Sequence, residues 1–98
     1  MVEKIIWSPR AINEYEKIIS FLFLICNEKV IHDFENLVNQ NVSAISKNPN
    51  LFPVIKAGIR KVSIHRNVSL FYEFKEQENI IEILSIFDNR ENPDKLKL

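Results

Sequence analysis

With 98 residues, the chain has room for one domain, or one small domain and a tail, since domains usually hold roughly 100–200 residues. Its 46 % hydrophobic content excludes an intrinsically disordered chain. Its 13 Lys plus Arg balance 13 Asp plus Glu, so no global field steers it to nucleic acid or membrane, and any anion site is expected to be local. The single cysteine, Cys26, excludes a disulfide framework and a cysteine-rich zinc site, and the single glycine, Gly58, excludes a Gly-rich phosphate loop. The start of the chain does not resemble a signal peptide. The longest apolar run, residues 21–26, is far short of the roughly 18–20 residues that span a bilayer. A reducing cytoplasm is the expected compartment. A chain this short buries only about 60–65 % of its unfolded surface, so its stability is marginal and a partner can contribute to it.

Residues 2–7, VEKIIW, read as a short strand stopped by Ser8-Pro9. Ser8 suits a helix N-cap, and Pro9 suits the first turn because it has no amide proton to lose. A helix is expected over residues 9–26, with Ala11, Ile12, Tyr15, Ile18, Ile19, Leu22, Ile25 and Cys26 on one apolar stripe. Leu24 falls in the polar sector and Phe21 at its edge; they are either scattered surface apolarity or a docking surface. After a break at Asn27-Glu28, a second helix runs to Lys47 on a stripe of Val30, Ile31, Phe34, Leu37, Val38, Val42, Ala44 and Ile45. A link this short makes an antiparallel helical hairpin. His32 projects opposite the stripe, as a solvated histidine does.

Asn48-Pro49 closes the second helix, because the residue before a proline resists helical geometry. Residues 48–58 form one long connection, with Leu51 and Phe52 expected to tuck under it. Strands follow at Ile59–His65, Val68–Lys75 and residues 80–87, joined by hairpin-length links. The last of these, IIEILSIF, is apolar on nearly both faces and suits a central position. The expected fold is therefore α+β in the order β-α-α-β-β-β, a helical hairpin on one face of a mostly antiparallel four-stranded sheet. The pairing of the first strand is left open. The domain is expected over residues 1–87, followed by a polar, partly mobile tail at 88–98.

Between residues 56 and 66 the ionisable side chains are Lys56, Arg60, Lys61, His65 and Arg66, with no acid among them. Arg90 follows the last strand. These six residues are either an anion- or target-binding patch or a strand edge kept basic to discourage pairing. His65 is the candidate general acid or base. Cys26, at the end of an apolar stripe, reads as an inert core thiol. Cys26, His32 and His65 lack metal-ligand spacing, and no metal or cofactor is expected.

Taken in order, IIWSPRAINEYEKIISFL, NPNLFP, GIRKVSIHRNVSLFYEF and IIEILSIFDNRENPDKL resemble the RelE/ParE toxin superfamily of bacterial toxin–antitoxin modules. The resemblance covers nearly the whole chain and is strongest to the ParE-like, plasmid-stabilization branch. It implies the same β-α-α-β-β-β order and a toxin held inactive by a cognate antitoxin, whose C-terminal segment wraps the toxin as helix and extended chain. Phe21 and Leu24 are the candidate antitoxin contacts.

RelE-like members imply ribosome-dependent mRNA cleavage, and ParE-like members imply inhibition of DNA gyrase by binding. RelE-like sequences carry several basic residues on the sheet strands, where this chain has Arg60 but Val62, Ile64 and Ser69. Only Arg90 stands for the family's strand-end arginine, and no Tyr or His follows in the tail. Arg60, His65 and Arg90 would be the catalytic set under the nuclease alternative. The expectation is a ParE-like toxin with an antitoxin partner and a protein target such as DNA gyrase. The alternatives are a nuclease acting on ribosome and mRNA, and a degenerate toxin that retains only antitoxin binding.

Overall fold

A computed structural model describes residues 2–98. Its main elements are β1 (Lys4–Trp7), α1 (Pro9–Ile25), α2 (Glu28–Lys47), β2 (Val54–Lys56), β3 (Ile59–His65), β4 (Val68–Lys75) and β5 (Ile80–Asp88). The two helices pack on one face of a five-stranded sheet of order β1-β5-β4-β3-β2. Only the β1–β5 pair is parallel. The helical hairpin thus carries the chain from one sheet edge to the other, and β2 to β5 return by hairpins until β5 lies beside β1.

Five strands replace the expected four. The extra strand is β2, within the stretch expected to be an irregular connection. It is made by the turn that follows it: Ala57 has φ 44° and Gly58 φ 80°, a two-residue turn with both residues left-handed. That turn folds the three residues of β2 back along β3, with Lys56 opposite Ile59.

Ser8 joins three elements. Its amide donates to the Ile83 carbonyl at 2.9 Å, and its Oγ accepts from the Ala11 amide at 3.0 Å, capping α1. The same Oγ donates to the Leu84 carbonyl at 3.0 Å. Leu84 sits at a bulge, where the β4–β5 register shifts and it has no partner in β4. The link to α2 is two residues, and Asn27 Oδ1 caps that helix by accepting from the Val30 amide at 3.1 Å.

The core lies between helices and sheet. Alternation in β3 and β4 sends Val62, Ile64, Val68, Leu70 and Tyr72 toward Ala11, Phe34, Val38 and Ile45. Tyr15 bridges the layers, with its ring 5.5 Å from Trp7 and 6.1 Å from Phe34. Burial, followed by the nearby Glu35 charge, raises the pKa of its phenol. Four apolar residues depart from expectation. Ile12, Ile25 and Val30 are exposed, and Leu51 is exposed while Phe52 packs on the core. Ala11 is wholly buried and lets α1 approach the sheet closely, which turns its neighbour Ile12 to solvent. Ile25 and Val30 lie where the hairpin has run past the sheet.

The segment after β5 is tied back to the domain. The Asn89 amide donates to the Asn67 carbonyl at 2.7 Å, and the Arg10 guanidinium donates to the carbonyls of Lys95 and Lys97. Asp88 organises its first turn by accepting from both the backbone amide and the guanidinium of Arg90, at 2.8–3.0 Å. Those bonds, the side-chain ones foremost, hold the Asp88 carboxyl below the ordinary aspartate value.

Ala57→Asn, which tolerates the left-handed region better than alanine, should stabilise the protein by about 0.5–1 kcal/mol. Gly58→Ala should destabilise it, even though an added Cβ would meet nothing nearer than Glu73 Oε2 at 3.9 Å, because the strain lies in the backbone. Thermal melts of both variants check this, and an unchanged Tm for Gly58→Ala would contradict it. For Asp88, a lowered folded pKa means stability that is complete above the ordinary value and lost as pH falls through the folded one. Asp88→Asn should therefore melt below wild type at neutral pH, with the gap closing in acid.

Candidate functional site

The helices outrun the sheet. α1 has 17 residues, about 25 Å at 1.5 Å per residue. It leaves the sheet level with Ile83 and Leu84, where β5 has only four residues left, about 13 Å of strand. Glu14 reaches Ser85, which donates to its Oε1 at 2.8 Å, so α1 runs toward the Asp88 end of β5 and then beyond it. The hairpin tip overhangs, and beneath it opens a groove of about 890 Å³.

Ile18, Phe21, Leu22 and Ile25 of α1 and Val30, Phe34 and Leu37 of α2 form its upper walls. Val68, Ile86 and Phe87 line it from the sheet. The rim carries four acids, Glu14, Asp33, Asp88 and Glu91, against three bases, Lys17, Arg90 and Lys95, with His65 among them. Arg90 and Asp88 neutralise each other at 2.8 Å. The groove is thus apolar within and nearly balanced at its edge, so a ligand is selected there by shape and apolar contact more than by charge.

The tip is apolar all round. Phe21 is 47 % exposed, Phe23 63 %, Leu24 84 % and Ile25 60 %. A helix end of this kind is normally covered. Of the two expected contacts, Phe21 lines the groove, whereas Leu24 points away from it. The sequence reading missed Phe23, Ile25 and Val30. The available signal was the unbroken run FLFLIC, which exceeds what one amphipathic stripe needs. Cys26, expected in the core, is half-buried and lines the same groove.

The six candidate cationic residues do not converge. His65 and Arg90 line the groove, and Arg66 lies in the adjoining β3–β4 turn. Arg60 is five residues along β3 from His65, about 16 Å of strand. It faces the helices and ties down the loop before β2. Its guanidinium donates to the carbonyls of Phe52 at 2.6 Å and Asn50 at 3.3 Å, and to Asn50 Oδ1 at 3.1 Å. Tyr72 holds the same loop through a 2.8 Å bond from its hydroxyl to the Pro49 carbonyl. Burial raises the pKa of that hydroxyl. Lys56 ends β2 at the far edge, and Lys61 lies on the open face of the sheet. Among the described residues, no group of three His, Cys, Asp or Glu could hold a metal ion, and no helix is long and apolar enough to cross a membrane.

Comparison with known proteins gives the family. The model for the ParE toxin of type II toxin–antitoxin system, parDE, matches residues 5–93. The fold is shared with a chain of the chromosomal ParDE TA system from P. aeruginosa, at 17 % identity and TM-score 0.71 over 87 % of this chain and 94 % of that one. It is shared with the isolated E. coli RelE toxin, at 10 % identity and TM-score 0.61 over 93 % and 88 %. It is also shared with the YoeB dimer from Staphylococcus aureus, at 22 % identity and TM-score 0.59 over 84 % and 91 %. No curated protein matches the sequence. The family match runs from within β1 to the turn that Arg10 holds, and the chain belongs to the ParE toxin family of type II toxin–antitoxin systems.

Proposed function

We propose that this toxin acts by binding a protein target, such as DNA gyrase, and that its cognate antitoxin neutralises it by seating a segment in the groove beneath the hairpin tip. The observation that carries the antitoxin site is the overhanging apolar tip. Fully burying a Leu, Ile or Phe stabilises by about 1.5–3 kcal/mol. Phe21, Ile25 and Val30, which line the groove, are all 42 % exposed or more, and covering them is worth several kcal/mol before the cost of ordering the partner. An amphipathic helix, folding as it docks, has the complementary shape. Antitoxin complexes among the fold neighbours, RelBE from E. coli and YoeB–YefM from Staphylococcus aureus, support a partner of this kind.

Binding, in place of RNA cleavage, is favoured by where the candidate catalytic groups are spent. In-line attack by a 2′-hydroxyl needs a base, an acid and charge stabilisation around one phosphate. Arg60 is committed to loop carbonyls, Arg90 to Asp88, and no Tyr or His follows Arg90 in the tail. His65 accepts at Nδ1 from the Asn67 amide at 3.4 Å and is left without a partner acid in this set. A protein target of this kind places the toxin's action in the cytoplasm.

Expression in a bacterial host separates the readings. The proposal expects growth arrest with a DNA-damage response and inhibited supercoiling by gyrase. Ribosome-dependent mRNA cleavage would replace it with the nuclease reading, and harmless expression would leave only antitoxin binding. Phe21→Lys and Ile25→Lys should each weaken antitoxin binding by at least about tenfold, or 1.4 kcal/mol, in calorimetric titrations. Both side chains are exposed, so the Tm of the free toxin should hardly change. Leu24→Lys, outside the groove, should cost less. Unchanged affinity in the first two variants would rule the groove out.

A further inference from the structure

We propose that the β2–β3 edge is a second interaction surface, separate from the groove, and that it seats an acidic protein surface. The inference rests on the binding mode proposed above and assigns the target to this edge.

Charge is divided within a neutral chain. Between residues 36 and 72 there are five Lys and Arg, namely Lys47, Lys56, Arg60, Lys61 and Arg66, and no Asp or Glu. The other eight bases share the rest of the chain with all 13 acids. Folding carries β2 and β3 of this stretch to the sheet edge farthest from β1, where Lys56, Arg60 and Lys61 outnumber the one acid beside them, Glu73, which pairs with Ile59 and lies 3.9 Å from the Cβ position of Gly58. A cationic rim opposite an acidic remainder orients an approaching acidic partner even at zero net charge.

The edge is also apolar and held in place. Leu51 is 51 % exposed, Val54 50 % and Ile55 46 %. Arg60 and Tyr72 fix the loop carrying Leu51 through the carbonyls of Pro49, Asn50 and Phe52. The exposed side chains are therefore presented without an ordering cost at binding. Apolar contacts with charged groups at their margin, here Lys56 and Lys61, follow the apolar-centre, polar-rim plan of a protein interface.

The kind of partner follows from what the edge lacks. β2 is three residues long and its pairing is irregular, so it is a poor template for an added strand. Phe52 is half-buried, and Phe71 and Tyr72 are buried, so no exposed ring offers a base a surface to stack on. An acidic surface with an apolar depression fits what remains better than an extended peptide or a nucleic acid.

The test compares wild type with Lys56→Glu/Lys61→Glu and, against misfolding, with Lys56→Gln/Lys61→Gln. Growth arrest on graded expression is read beside calorimetric titration of each purified toxin with its antitoxin. The charge-reversed variant should need about tenfold more toxin for the same arrest, with antitoxin affinity unchanged. The Gln variant should fall between. Full arrest by the charge-reversed variant would overturn this assignment and leave the toxin reading standing. Harmless wild-type toxin would overturn both. Filter binding to a poly(U) oligonucleotide and light scattering at low salt complete the test. Binding or self-association by wild type that the charge-reversed variant loses would make nucleic acid or a second copy the occupant and overturn the proposal.

Discussion

A mismatch in length governs this molecule. Ser8 fixes the start of α1 against the Ile83 and Leu84 carbonyls, and the helix is longer than the strand left beneath it. The first half of α1 has a sheet to pack on, and the second half does not. Because the link to α2 is two residues, the overhang is doubled and becomes an apolar tip with a groove under it. A small domain buries its surface inefficiently in any case. Here the unburied share is concentrated in one place, where a second chain can complete the core.

The two ends of the sheet are built on different physics. At the groove, acids and bases alternate around an apolar interior, and Asp88 and Arg90 cancel locally. At the β2–β3 edge, Lys56, Arg60 and Lys61 outnumber the one neighbouring acid, Glu73, around a loop held by Arg60 and Tyr72. Arg60 illustrates how one residue serves the edge without facing a partner. Its guanidinium satisfies backbone carbonyls, and the apolar side chains of that loop are held outward as a result.

Much of this was legible in the residues. Ser8-Pro9, Asn27 and Asn48-Pro49 marked the helix ends because capping and proline geometry are local. The 3.6-residue stripes gave the hairpin, and alternation gave β3, β4 and β5. β2 was hidden because three residues carry no period, and its turn uses Ala57 in a conformation that alanine rarely adopts. Ile25 and Val30 were assigned to the core because a helical stripe records which side is apolar and not where the sheet beneath it stops. The basic run from Lys56 to Arg66 was visible as composition, but strand geometry spreads it over about 20 Å and two faces. Which of its members are free, and which are bound to backbone, depends on folds of the chain that charge patterning does not encode.

The most direct measurement is hydrogen–deuterium exchange of the toxin with and without its antitoxin. Antitoxin seated in the groove slows exchange at the hairpin tip, residues 20–31, and at the groove floor, residues 86–91, and leaves residues 50–61 unchanged. Protection confined to residues 50–61, with the tip exchanging as in the free toxin, would contradict that seating.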